Sequence, residues 1–265
     1  MRILFIGDIF GTLGRRVLAD RLPSLLSENA IDVCIANGEN AAGGRGLTGN
    51  IFKKLRKFGV EIVTGGNHSF SIPDSAYRFM DQPNVLRPLN YPPGNVGKGS
   101  TLFTLEDGRT IGIINLQGRT FVHEALDCPF RTGLAAIEKL AEKTNIIFID
   151  FHAETTSEKG ALARYFDGKI SALVGTHTHV QTADERILPE GTAFISDAGM
   201  TGPEDSVIGM KHEQVIRRFL MQTHTRFEPS DKGAMLNAVI IDIDDTTGKA
   251  LSIKRIFERI TFTDE

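Results

Sequence analysis

Short, continuous apolar runs rich in Ile and Val recur along the chain and alternate with stretches of helical periodicity. They predict strands at Ile3–Ile6, Ile31–Ala36, Val60–Thr64, Ile111–Asn115, Ile146–Ile149, Ile170–Val174, Thr192–Ile195 and Asn237–Asp242. Runs that do not alternate suit strands covered on both faces. Helices are predicted over Arg15–Leu26, where Leu18, Leu22, Leu25 and Leu26 share a face despite Pro23, and over Gly49–Phe58, Pro73–Met80, Arg131–Lys143 and Lys211–Leu220. Strand alternating with helix is the α/β layered pattern. Two hairpin signals add antiparallel pairing and make the expected sheets mixed. Thr101–Leu105 joins Thr110–Asn115 through Glu-Asp-Gly-Arg, and Ala238–Ile243 joins Ala250–Ile256 through Asp-Asp-Thr-Thr-Gly-Lys. No repeat or linker interrupts the pattern, so one domain over residues 1–265 is expected, with Tyr91–Gly99 as a surface loop.

Charge narrows the partners. Thirty Lys and Arg stand against 33 Asp and Glu, a net charge of −3. The basic footprint of a nucleic-acid-binding domain, with a pI above ~9, is absent, so a long nucleic acid is not the expected partner. No apolar run approaches the ~18 residues of a membrane span. The first residues read as a strand followed by an acidic turn rather than a signal peptide. Cys34 and Cys128 make no disulfide framework, and Cys34 sits in an apolar run as a buried thiol. A cytoplasmic protein without a membrane partner is expected.

The chemistry gathers where strands end. Gly7-Asp8 follows the first strand, Asn37-Gly38-Glu39-Asn40 the second and Gly65-Gly66-Asn67-His68 the third. Asp150-Phe151-His152 and Gly175-Thr176-His177-Thr178-His179 follow two later ones. In an open α/β sheet, ligands bind in the crevice beyond the carboxyl ends of the strands, so parallel strands would bring all five groups together. Taken singly, Asp8 reads as a helix cap, Asn67 as a turn residue and each histidine as a structural hydrogen-bonding group. Taken together, two carboxylates, two amides and four imidazoles are too many for one tetrahedral ion and suit two ions sharing a carboxylate. Competing motifs fall short. Gly7, Gly11 and Gly14 do not have dinucleotide-turn spacing, and neither a P-loop nor a G-x-S-x-G elbow occurs. The glycine-rich loop Ala41–Gly46, with Arg45, reads equally as a phosphate cradle or a turn before the next helix.

Gly-Asp near the start, Gly-Asn-His in the middle and Gly-x-His-x-His late resemble the calcineurin-like metallophosphoesterases, and within them the YmdB-like bacterial phosphodiesterases. The matching segments run nearly end to end: Gly7–Gly11, Asn37–Gly44, Gly66–His68, Arg87–Tyr91, Asp150–Glu154, Gly175–His179 and Asp197–Pro203. The resemblance implies a four-layer α/β/β/α sandwich with sheets inside, a dinuclear metal centre and a homo-oligomer. It implies that Glu39 bridges two ions, with Asp8, His179 and Asn40 on one and Asn67, His152 and His177 on the other. His68 is then the proton donor or the transition-state stabiliser. Two departures from the wider superfamily stand out: the usual Asp-x-His is Asp8-Ile9-Phe10, and Glu39 replaces the usual bridging aspartate.

On that reading two ions roughly 3.5–4 Å apart hold a hydroxide that attacks phosphorus, while His68 protonates the leaving oxygen. Mixed oxygen and nitrogen ligands favour iron or manganese, with zinc and magnesium also open. The expected substrate is a small cyclic nucleotide, 2′,3′-cyclic AMP first. A phosphomonoesterase using the same site, or a regulatory nucleotide-binding protein with little turnover, are the alternatives.

Overall fold

The computed structural model describes residues 1–72 and 79–262. The chain begins β1 (Arg2–Ile6), β2 (Asp8–Ile9), α1 (Gly11–Glu28), β3 (Val33–Asn37), α2 (Gly49–Phe58) and β4 (Ile62–Thr64). It continues through β5 (Ser100–Thr104), β6 (Thr110–Gln117), α3 (Pro129–Ala141), β7 (Ile147–His152), α4 (Thr156–Phe166) and β8 (Ala172–Thr176). The remaining elements are β9 (Arg186–Ile187), β10 (Ala193–Ile195), β11 (Met200–Thr201), α5 (His212–Met221), β12 (Met235–Ile243) and β13 (Ala250–Arg259). Of the expected helix at Pro73–Met80, residues 73–78 lie outside the described residues.

Two sheets form, in the orders β13-β12-β1-β3-β4 and β5-β6-β7-β8-β10-β9. In the first, β1, β3 and β4 run parallel, β12 pairs antiparallel with β1, and β13 pairs antiparallel with β12. In the second, β6, β7, β8 and β10 are parallel and β5 and β9 antiparallel. Both expected hairpins are present, as β5–β6 and β12–β13.

The layers follow from the period-2 alternation of strand side chains. On β1, Leu4 and Ile6 face a core shared with Val17, Leu18 and Leu22 of α1 and Leu55 of α2. Ile3 and Phe5 point the other way, into a core with Ile113, Phe148 and Val174 of the second sheet. The Phe5 and Phe148 rings lie 5.3 Å apart across that seam. A third core packs Ile114, Ile149 and Leu173 against Ile137 of α3 and Leu162 of α4. Helix, sheet, sheet, helix is thus the observed order, as the resemblance implied. Buried on both faces, each such side chain contributes about 1.5–3 kcal/mol of apolar burial.

Helix α2 is bounded as expected: Thr48 Oγ1 accepts from Ile51 N, and Gly59 closes the helix in the left-handed conformation. Helix α4 is absent from the sequence-based expectation. It is capped by Thr155, whose side chain accepts from Glu158 N, and its inner face carries a fully buried lysine, Lys159. A lysine at a core position breaks the apolar periodicity by which helices are read. The short pair β2–β11, with Met200 opposite Asp8 and Thr201 opposite Ile9, is likewise additional. It clips the 197–203 segment onto the Asp8 turn.

Candidate metal centre and active site

Parallel pairing puts the turns after β1, β3 and β4 at one edge of the first sheet, and those after β7 and β8 at the facing edge of the second. Gly7 permits the first turn: a Cβ there would stand 2.0 Å from Gly199 O. Asp8 is fully buried. Its Oδ2 accepts from His177 N at 3.2 Å, and its Oδ1 has no hydrogen-bond partner among the described residues, with His179 Nε2 3.9 Å away. Burial pushes the Asp8 carboxyl well above the usual carboxylate range, against the pull of His152.

Glu39, also buried, lies at the middle of the cluster. Its Oε1 is 3.1 Å from Asn40 Nδ2, 3.2 Å from His152 Nε2 and 3.4 Å from His68 Nδ1, and its Oε2 accepts from His68 N at 2.9 Å. Asn67 Oδ1 is 2.9 Å, and His177 Nδ1 3.0 Å, from His152 Nε2. Glu39, His152 and His177 offer ligand atoms that all lie within 4.8 Å of one another. Gly66 leaves room for them, since a Cβ there would meet Glu39 Oε2 at 2.3 Å and His152 Cδ2 at 2.4 Å. Asp8 joins this cluster through His177 N, and His179 through Asn40 Nδ2 at 3.1 Å, so all eight candidate site residues lie in one network of contacts. As placed, Asn40 turns its NH2 to Glu39 and His179 and its Oδ1 to His68 Nδ1 at 2.7 Å. A carboxamide binds cations through oxygen, so Asn40 ligates only with its O and N exchanged.

Outer groups fix which nitrogen of each histidine faces inward. His152 Nδ1 lies 3.0 Å from Thr176 Oγ1, which donates to Asp150 Oδ1 at 2.7 Å. His179 Nδ1 donates to Ile208 O at 2.8 Å, and His177 Nε2 faces Glu154 Oε2 at 3.0 Å. Each ring thus turns a lone pair toward the cluster, the support that metal-ligating histidines ordinarily have. His177 and His179 both hold positive φ, 102° and 66°. Such strain persists only where surrounding structure enforces it. The enforcing group is Asp197, buried against Lys159 at 2.8 Å and accepting from Thr178 N at 3.0 Å and Gly199 N at 2.9 Å.

These residues fit bound cations. An orphaned buried carboxylate oxygen on Asp8 and three inward lone pairs are costly without a positive partner. Where no cation sits, a proton takes its place: burial lowers His152, but Glu39, Asp8 and Asp150 outweigh burial and hold it at about 9. His177, pushed down to about 3 by burial and by His152, is already neutral. A cation must therefore displace the His152 proton at neutral pH. Apparent metal affinity is expected to fall by up to about tenfold per unit as pH drops below about 9. Calorimetry in buffers of different ionisation enthalpy reads the proton released on adding Mn²⁺; pH-independent affinity would contradict the assignment.

A YmdB-like family profile matches residues 4–256. The chain belongs to the YmdB-like family. It is 49% identical, over 97% of its length and 96% of the relative's, to a Bacillus subtilis (strain 168) protein named 2′,3′-cyclic-nucleotide 2′-phosphodiesterase. Two crystal structures superpose on it closely. A hypothetical protein from Thermus thermophilus has a TM-score of 0.91 at 39% identity, covering 98% of this chain and 99% of the other. A structure titled a novel phosphatase, from Mycoplasma pneumoniae, has 0.92 at 36% identity, covering 98% and 93%. The fold is that of the metallophosphoesterases.

Within this YmdB-like chain, Phe10 explains the glycine-rich loop. Its ring lies in a slot where a Cβ on Gly44 would come within 2.7 Å and one on Gly209 within 2.5 Å, and its edge meets His179 at 5.6 Å between centroids. Gly44 serves this slot, while Arg45 is exposed. Sequence reasoning also passes over Lys159 and gives Asp197 no role. No sequence pattern marks that pair, because its partners are 38 residues apart.

Proposed function

We propose that this protein is a metal-dependent phosphodiesterase that opens small cyclic nucleotides, with 2′,3′-cyclic AMP the favoured substrate. The observation that carries the reading is 49% identity, over 97% of the chain, to the Bacillus subtilis relative whose name states that activity. We assign Asp8, Glu39, Asn40, Asn67, His152, His177 and His179 to two cations, iron or manganese foremost, with Glu39 shared. Cations held there would supply Lewis acidity at the phosphoryl oxygens and bring a water's pKa toward ~7.

The chain's own residues do the rest. Thr176, Ile208 and Glu154 hold three imidazoles in register, so little reorganisation is needed when charge develops. Asn40 connects the cluster to His68. In the orientation shown, Asn40 Oδ1 lies 2.7 Å from His68 Nδ1 and accepts the hydrogen held there. A His68 imidazolium would then give its Nε2 proton to O2′ as water adds to phosphorus and the P–O2′ bond breaks, yielding 3′-AMP and leaving a neutral imidazole. His68 is partly exposed, at 22% of its side chain, and open to a ligand.

A second reading, phosphomonoesterase, is favoured by the Mycoplasma pneumoniae structure titled a phosphatase. One assay separates them. The wild type is expected to convert 2′,3′-cyclic AMP to 3′-AMP without releasing adenosine; equally fast release of adenosine from 3′-AMP would support the second reading. His68→Ala should keep its metal content and slow ring opening by about 10²–10⁴-fold. Wild-type rates in that variant would refute the role of His68.

A further inference from the structure

An apolar hollow of about 700 Å³ opens directly off the cluster and shares His68, Asn40 and His179 with it. Phosphate chemistry has no use for its walls, which are Phe10, Ile208, Val215, Phe219 and Phe227. Helix α5 lays Val215, Arg218 and Phe219 along it, the i, i+3, i+4 spacing of a single helix face, and its left-handed C-cap Gln222 follows them. Val215 on that face is buried, but Phe219 is 72% exposed, and Ile208 and Phe227, which line the hollow from outside α5, are 55% and 40% exposed. Large apolar side chains left exposed beside a site mark a binding surface. Ile208 supports the same conclusion, because it holds φ +48°, a strained value for a β-branched residue. Its twisted backbone hands its carbonyl to His179 Nδ1 while its side chain lines the hollow.

We propose that this hollow is the subsite for the nucleobase of the substrate, with Phe219 and Phe227 as its stacking surfaces and Arg218 and Gln222 as its polar edge. The inference rests on the phosphodiesterase reading and adds the residues that select the substrate. The hollow is of a size that suits a small ligand. Aromatic faces accept any base by stacking, and a guanidinium reads or stacks on a base edge. Continuity with His68 and His179 favours the base over a second copy of the chain, which would find its own apolar strip at Ile216 and Leu220 on the outside of α5.

The test compares kcat/KM for 2′,3′-cyclic AMP with that for ribose 2′,3′-cyclic phosphate, which lacks a base. In Phe219→Ala and Phe227→Ala the ratio is expected to fall about tenfold or more, with metal content unchanged, and Phe219→Tyr should restore it. A ratio equal to wild type overturns the proposal, most plainly if Phe219→Ala instead splits an oligomer into monomers. Failure of the wild type to open either diester would sink the phosphodiesterase reading alone. Calorimetric binding of AMP then decides the subsite. Affinity about tenfold weaker in Phe219→Ala supports it, and equal affinity, or no binding to wild type, overturns it.

Discussion

Glu39→Gln is expected to remove metal-dependent turnover almost completely. The carboxylate lies between both halves of the cluster, with Oε1 3.2 Å from His152 Nε2 and 3.1 Å from Asn40 Nδ2. His152 and His68 hold it ionised, well below the usual carboxylate range, against burial. Glutamine keeps the shape and can still accept from His68 N, but it replaces the anionic ligand we propose for both cations with a neutral one. Loss of a supporting group behind a ligand typically costs about 10–100-fold in metal affinity or activity, so loss of a shared ligand should exceed about 100-fold. Metal analysis after gel filtration and a turnover assay check this, with a cooperative thermal transition showing that the fold persists. Retention of both ions at wild-type occupancy would refute the bridging role.

Lys159→Met is the second large effect, and it acts from beneath the site. Lys159 and Asp197 are both buried, 2.8 Å apart, and removing the ammonium strands a carboxylate in the core. Breaking such a pair costs about 3–5 kcal/mol, which for a chain of this size lowers Tm by roughly 10 °C. Adding Asp197→Asn should recover more than half of the loss, since a neutral amide is cheaper to bury than an unpaired charge. Activity should recover less. The Thr178 N and Gly199 N contacts that hold His177 and His179 at positive φ are made to a carboxylate. Thermal unfolding of the two variants, read beside their turnover, separates stability from positioning. Equal Tm in Lys159→Met and wild type would contradict the account.

The layers are legible in the sequence because β1, β3, β7 and β8 are buried on both faces, and such strands leave uninterrupted Ile/Val runs. The cluster is legible for a related reason. Its members sit two to five residues past the predicted apolar runs, and parallel pairing carries adjacent strand ends to one edge. What escapes is whatever depends on contacts distant in sequence. Helix α4 is hidden by Lys159, whose place in a core makes sense only once Asp197 is seen against it. Pro129 at the first turn of α3 starts that helix before the expected Arg131, as a proline there loses no hydrogen bond. The β2–β11 pair is two residues long and carries no pattern at all. The Ala41–Gly46 loop cannot be read from composition, because its glycine spacing serves a ring, Phe10, brought in by another turn.

We propose that this constellation works as a pair of metal sites for opening cyclic phosphodiesters. Its most direct test is turnover of 2′,3′-cyclic AMP by chelator-stripped protein titrated with Mn²⁺ and, anaerobically, with Fe²⁺. No turnover is expected in the stripped protein, and activity should saturate as bound metal approaches about two ions per chain. Full turnover in the stripped protein, or saturation at a single ion, would contradict it.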